Sequence, residues 1–217
     1  MITVTAFSWV PPLAQGLVRD LRVRWALEEV GRRYEERLIG PEDQVSEAYR
    51  HLQPFGQVPV YEEDGLTLFE SGAIVLHIAE GSEVLMPSEP AARARTITWM
   101  FAALNSMEPH IQNLAAIDLF YPNEEWAKQR RPGALQMVEK RLDDLARWMD
   151  GREWLEDRFT AGDLLMASVL RILRHTNLVA ERPVLEAFRL RCEARPAFQK
   201  ALADQMAPFA KHAPPGA

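Results

Sequence analysis

Ile2-Thr3-Val4-Thr5-Ala6-Phe7 is a run of β-branched and aromatic residues, and it predicts a strand. Trp9-Val10-Pro11-Pro12 breaks the run. From Leu17 the spacing changes. Leu17, Leu21 and Trp25 recur every four residues, Ala26 and Val30 widen the stripe, and Gly31 stands where a helix is capped at its C-terminus. Tyr34 to Ile39 reads as a second strand and Glu42 to His51 as a helix. Val58–Tyr61 and Leu66–Phe69, joined through the turn Glu63-Asp64-Gly65, read as two paired strands. Ser71 then opens a helix through Ala73, Ile74, His77 and Ile78.

Strand, helix, strand, then strand, strand, helix describe an α/β domain over residues 1–81, with helices packed on a small mixed sheet. Gly81 to Pro90 is rich in proline, glycine and serine and reads as a linker. Beyond it strand signals stop. Helices are predicted over 91–119, 124–150, 163–178, 184–193 and 197–206, giving an all-helical domain over residues 90–210. The stretch Leu164–Leu173 is apolar almost all round, which predicts a helix inside the bundle. Thr160-Ala161-Gly162-Asp163 precedes it with capping-box spacing, Asp standing in for Glu or Gln. Ala213 to Ala217 reads as a frayed tail.

Charge separates the two halves. The 217 residues carry a net −6. Residues 1–81 hold 7 basic and 13 acidic side chains, whereas 82–217 hold 18 of each. That excludes a basic face of the nucleic-acid-binding kind, so an anion bound by the first half must be held by local devices. No apolar run approaches the ~18 residues of a membrane span, and the N-terminus lacks the pattern of a secretory signal. Cys192 is the single cysteine, which excludes an internal disulfide and a Cys-x-x-Cys thiol–disulfide centre. A cytoplasmic location is expected. The histidines, His51, His77, His110, His175 and His212, show no metal-ligand spacing, so no metal is expected.

Four stretches carry a more specific signal: Leu21-Arg22-Val23-Arg24-Trp25-Ala26-Leu27-Glu28-Glu29-Val30-Gly31, Gln53-Pro54-Phe55-Gly56-Gln57-Val58-Pro59-Val60, Leu68-Phe69-Glu70-Ser71-Gly72-Ala73-Ile74 and Phe159-Thr160-Ala161-Gly162-Asp163. In this order and spacing the chain resembles the cytosolic glutathione S-transferases, of bacterial type, over essentially its whole length. The resemblance implies an α/β thioredoxin-like N-terminal domain, an all-α C-terminal helical bundle and a homodimer. It implies glutathione as co-substrate in the first domain and a small electrophile, peroxide or disulfide as the second substrate. A cis bond at Val58-Pro59 would present the Val58 main chain to the cysteinyl part of the peptide as an added strand would. Ser71, at a helix N-terminus, would receive the γ-glutamyl carboxylate, Glu70 its ammonium, and Gln57 another part of the peptide. The helix holding Trp99, Met100, Met107 and His110 would line the electrophile pocket, although such residues also serve as plain core.

The position that activates the thiol departs from the family. Related classes place a Tyr, Ser or Cys near the start of the first helix, where this chain has Leu17, Val18 and Arg19. A thiol titrates near 8.5, and bringing it to about 6.5 takes roughly 2.7 kcal/mol of preferential stabilisation of the anion. Three substitutes are open: the Arg19 cation, the Ser8 hydroxyl at the end of the first strand, and Gln15 or main-chain N–H groups near Gly16. The bland reading of Arg19 is a surface arginine on a helix that already holds Arg22 and Arg24. The competing function is a non-catalytic glutathione-binding or scaffold protein.

Overall fold

A computed structural model describes residues 1–214, so Pro215 to Ala217 of the expected tail lie outside the described residues. The chain divides into two compact units, the first built from residues 1–86 and the segment from Arg195 onward, the second from Pro87–Ala194.

The first unit contains β1 (Ile2–Phe7), α1 (Asp20–Glu29), β2 (Tyr34–Ile39), α2 (Pro41–Val45), α3 (Glu47–Leu52), β3 (Val60–Glu63), β4 (Leu66–Phe69) and α4 (Ser71–Glu80). Among the described residues the four strands form one sheet in the order β2-β1-β3-β4. β1 runs parallel to β2 and antiparallel to β3, which pairs antiparallel with β4. Val4, Thr5 and Ala6 are all buried, as a central strand covered on both faces requires.

Three local expectations shift. α1 begins at Asp20 rather than Leu17, because Gly16 takes φ 76° and tight turns fill the chain up to Val18. The helix expected over 42–51 is split at Ser46, whose backbone is extended and whose hydroxyl accepts from the Tyr49 N–H at 3.2 Å. β3 begins at Val60 rather than Val58, since Pro59 has no N–H to give a ladder.

The second unit holds α5 (Pro90–Phe101), α6 (Glu108–Phe120), α7 (Glu125–Met149), α8 (Ala161–Leu170) and α9 (Pro183–Glu193). The helix predicted over 91–119 is interrupted by a π-helical stretch, Ala102–Met107. Pro109, in the first turn of α6, has no N–H for the carbonyl four residues back, and the wider turn lies against that gap. Met100 and Met107 are core residues. α8 is buried nearly throughout, as its all-round apolar pattern predicts, and ends in a 3-10 turn, Arg171–Leu173. A Cβ on Gly162 would meet the Trp99 Cβ at 2.8 Å, so glycine permits the close approach of α8 to α5.

The capping box forms. Thr160 Oγ1 accepts from the Gly162 N–H, and Asp163 accepts from the Thr160 N–H and from the Leu155 N–H, both at 2.8 Å. Burial pushes the Asp163 carboxyl up to about 6 against the pull of those donors. Because the folded state then holds its proton more tightly than the unfolded chain, this contribution is fully present below pH ~3.8 and is lost as pH rises through about 6. Urea unfolding of the wild type against Asp163→Asn should show the difference in stability falling by up to about 3 kcal/mol across that window and flat above pH ~7. A pH-independent difference would refute it.

The last helix, α10 (Pro196–Lys211), follows the helices of the second unit in sequence but packs on α1 of the first. Its Phe198 meets the buried Trp25 edge-on at 4.9 Å, and Arg195 grips Glu29 with two hydrogen bonds of 2.6 and 2.7 Å. The division between the units falls at Met86 and Pro87, and the segment from Arg195 onward is grouped with the first unit.

Candidate functional site

β3 and β4 lead to two expected site residues. Their ladder ends at Val60↔Phe69, two residues after Val58 and two before Ser71. Val58-Pro59 is cis. Among the described residues the Val58 N–H and C=O make no main-chain hydrogen bond, so this edge is available to an extended ligand. The Val58 side chain is anchored with Ile39, Tyr49 and Val60 in a cluster on which Phe7, Val18 and Leu52 pack.

Ser71 is the first residue of α4 and is buried. Its neighbour Glu70 is exposed and held at φ 69°, a left-handed conformation that costs a non-glycine residue on the order of 1–3 kcal/mol and marks functional turns. The Ile74 N–H reaches the Glu70 carbonyl at 3.0 Å, so the N–H groups of Ser71 and Gly72 face outward at the helix start, where an anion is favoured.

Arg22 and Arg24 are not surface residues. Arg22 is 4% exposed, and its Nη1 donates to Ser71 Oγ at 3.3 Å, which puts a guanidinium at the position expected to receive a carboxylate. Arg24 is wholly buried; its Nε donates to Asp20 Oδ2 at 2.7 Å and its Nη1 to Glu36. Burial alone would lower its affinity for the proton, and the carboxylates of Asp20 and Glu36 outweigh that and raise it. Asp20, 1% exposed, is pushed upward by burial, with Arg24 and Gln205 pulling it back. Gln205 Nε2 of α10 donates to Asp20 Oδ1 at 2.7 Å and to the Val18 carbonyl at 3.1 Å, fixing the start of α1. Sequence reasoning missed all of this. The one available signal was three charged residues, Asp20, Arg22 and Arg24, inside an otherwise apolar stripe.

The candidates for activating a thiol flank the Val58 cluster. Ser8 follows Phe7 and Arg19 follows Val18, and both of those preceding residues pack on the cluster. The Ser8 main chain is fixed by its N–H to the Ile39 carbonyl at 2.9 Å, and its half-buried hydroxyl has no partner among the described residues. Arg19 is the exposed N-cap of α1. Gln15 is turned back on its own loop, Nε2 donating to the Val10 carbonyl at 3.0 Å, so it braces the segment between β1 and α1. Gln57 is exposed, and its carbonyl accepts from the Tyr49 hydroxyl at 2.7 Å.

Comparison with known proteins bears on this geometry. The family model described as "Glutathione S-transferase, N-terminal domain" matches residues 3–80. A glutathione S-transferase of Hyoscyamus muticus is 30% identical over 180 residues, covering 74% of this chain and 80% of the relative. A maleylacetoacetate isomerase of Rhizobium meliloti (strain 1021) is 32% identical over 203 residues, covering 86% and 92%. Among solved structures, a glutathione transferase from Burkholderia graminis with two glutathione molecules bound per subunit superposes with a TM-score of 0.81 at 25% identity, covering 93% of this chain and 87% of that one.

Proposed function

Because this chain belongs to the glutathione S-transferase family, we propose that it is a glutathione transferase whose first unit binds glutathione and activates its thiol for attack on a small electrophile, a peroxide or a disulfide. The observation that carries this reading is the Ser71–Arg22 pair at the start of α4, together with the main-chain edge of Val58 next to the cis bond. Glutathione is a peptide with two carboxylates, one ammonium and a thiol. The γ-glutamyl carboxylate meets the Ser71 hydroxyl, the N-terminus of α4 and the Arg22 cation. Glu70 receives the ammonium. The cysteinyl main chain pairs with Val58 beside Pro59, and Gln57 borders the same segment.

In that pose the sulfur lies toward the start of α1. Ser8 supplies a hydroxyl to the thiolate and Arg19 a cation, while Gln15 holds their loop in shape. The thiolate then attacks the electrophilic atom of the co-substrate, and the leaving group departs with the electron pair of the broken bond. Conjugation of an aryl halide and reduction of an organic hydroperoxide, each with glutathione, test the activity. An ultraviolet titration of the bound thiol tests the activation. Ser8→Ala and Arg19→Ala should each raise that thiol's pKa and slow conjugation by about tenfold or more. Unchanged rates in both would remove both residues from the mechanism. A bound thiol titrating at its free value, with no turnover, would favour the non-catalytic scaffold instead.

Phe55 and Phe69 form an exposed ring pair, centroids 6.2 Å apart, 63% and 36% accessible, and this supports a homodimer joined through that face. Sedimentation at micromolar concentration should give a dimer and Phe55→Ser a monomer; a wild-type monomer would refute the assignment. A cytoplasmic location fits the lone buried thiol, Cys192.

A further inference from the structure

Two side chains from α2 and α3 hold the main chain that leads into Val58. Gln44 Nε2 donates to the Gly56 carbonyl and the Tyr49 hydroxyl to the Gln57 carbonyl, each at 2.7 Å. The Tyr49 ring is 5% exposed and packs in the cluster with Ile39, Val58 and Val60. Phenylalanine would fill that place as well, so packing does not account for the hydroxyl. Nor does the need to satisfy a buried carbonyl: Gln57 is exposed, and water would serve it. What the bond does fix is a direction. The Gln57-Val58 peptide bond is trans, since Val58-Pro59 is the one cis bond among the described residues. A trans peptide unit is planar, and its C=O and N–H point opposite ways. Holding the Gln57 oxygen on Tyr49 therefore turns the Val58 N–H away from the tyrosine. That N–H makes no main-chain hydrogen bond among the described residues. Gln44 fixes the preceding peptide unit in the same manner, so two successive units are locked just before Val58.

We propose that Tyr49 is a positioning residue for glutathione: through the Gln57 carbonyl it aims the Val58 N–H at the cysteinyl carbonyl of the bound peptide. This rests on the glutathione-binding reading of the site and adds to it the residue that sets the donor's direction. The hydroxyl acts only through Val58. Its bond orients one donor and, by polarising the amide, strengthens it. Burial pushes the Tyr49 hydroxyl up to about 12, so it keeps its proton and goes on donating throughout the neutral range.

Tyr49→Phe keeps the ring and removes the bond. Its effect is read in calorimetric titrations of the full chain with glutathione, γ-glutamylcysteinamide and γ-glutamylcysteamine, the weaker ligands by displacement of glutathione. The last two both carry the γ-glutamyl group and the thiol, and they differ only in the cysteinyl carboxamide, which holds the acceptor. Tyr49→Phe should weaken glutathione and γ-glutamylcysteinamide by about five- to tenfold, and γ-glutamylcysteamine by less than about twofold. In conjugation the loss should fall on the KM for glutathione, with kcat within about twofold of wild type. A merely structural role would weaken all three ligands alike, and that result would overturn the proposal. So would glutathione binding by Tyr49→Phe within about twofold of wild type, and the functional reading would then stand without it. A wild-type chain that binds no glutathione would instead overturn that reading, and this inference with it.

Discussion

Ser71→Ala is expected to weaken glutathione binding by roughly ten- to a hundredfold and to leave the fold intact. The Ser71 hydroxyl is buried at the first position of α4 and lies 3.3 Å from Arg22 Nη1, so it can accept from the guanidinium while donating to a bound carboxylate. A hydrogen bond to a charged group is worth about 1.5–3 kcal/mol, which is the range stated. Ser71→Thr keeps the hydroxyl and should recover much of the affinity, whereas Ser71→Cys should not. Calorimetric titration with glutathione measures all three. The change should fall on the KM for glutathione more than on kcat, since the carboxylate is bound alike in ground and transition states. An alanine variant within twofold of wild type would place the γ-glutamyl group elsewhere and remove the observation on which the functional reading rests.

Local signals were readable where a residue's partner is near in sequence. The box at Thr160–Asp163 closes over three residues, and the buried α8 shows as an unbroken apolar run. β1, β2 and α4 follow from alternation and spacing, and Glu70-Ser71 marks the entry to α4. What could not be read depends on partners far along the chain. Arg22 and Arg24 look like the solvated side of α1 until Ser71, 49 residues on, and Glu36 supply their acceptors. Gln205 lies 185 residues from Asp20, and nothing in its own neighbourhood announces that it will donate to the aspartate at the start of α1. The same reason explains why α10 reads as one more bundle helix. Its amphipathic pattern shows that it packs, not on which surface.

Asp20→Ala is expected to cost about 3–5 kcal/mol of stability, the largest effect of any single substitution considered. Asp20 and Arg24 are buried to 1% and 0%, and the aspartate also accepts from Gln205. Taking it away strands a guanidinium in the interior with only Glu36 as counter-charge, and its Nη2 already lacks a partner. Gln205 loses one acceptor at the same stroke. The cost therefore comes from desolvated groups left unpaired rather than from the worth of the pair. That distinction makes the prediction sharp. Asp20→Leu combined with Arg24→Met removes both charges at similar bulk and should recover most of the loss, even though it restores no ion pair. Urea unfolding of the two variants and the wild type measures it. The double variant should also separate stability from function: with α1 no longer tied through Gln205 to Asp20, the segment bearing Arg19 loses one of the bonds that hold it, Gln205 keeping only the Val18 carbonyl. Thiol activation should then fall even where the melting temperature is regained. If the double variant is no more stable than Asp20→Ala, the pair is net stabilising and the account of an interior charge cluster kept for positioning fails.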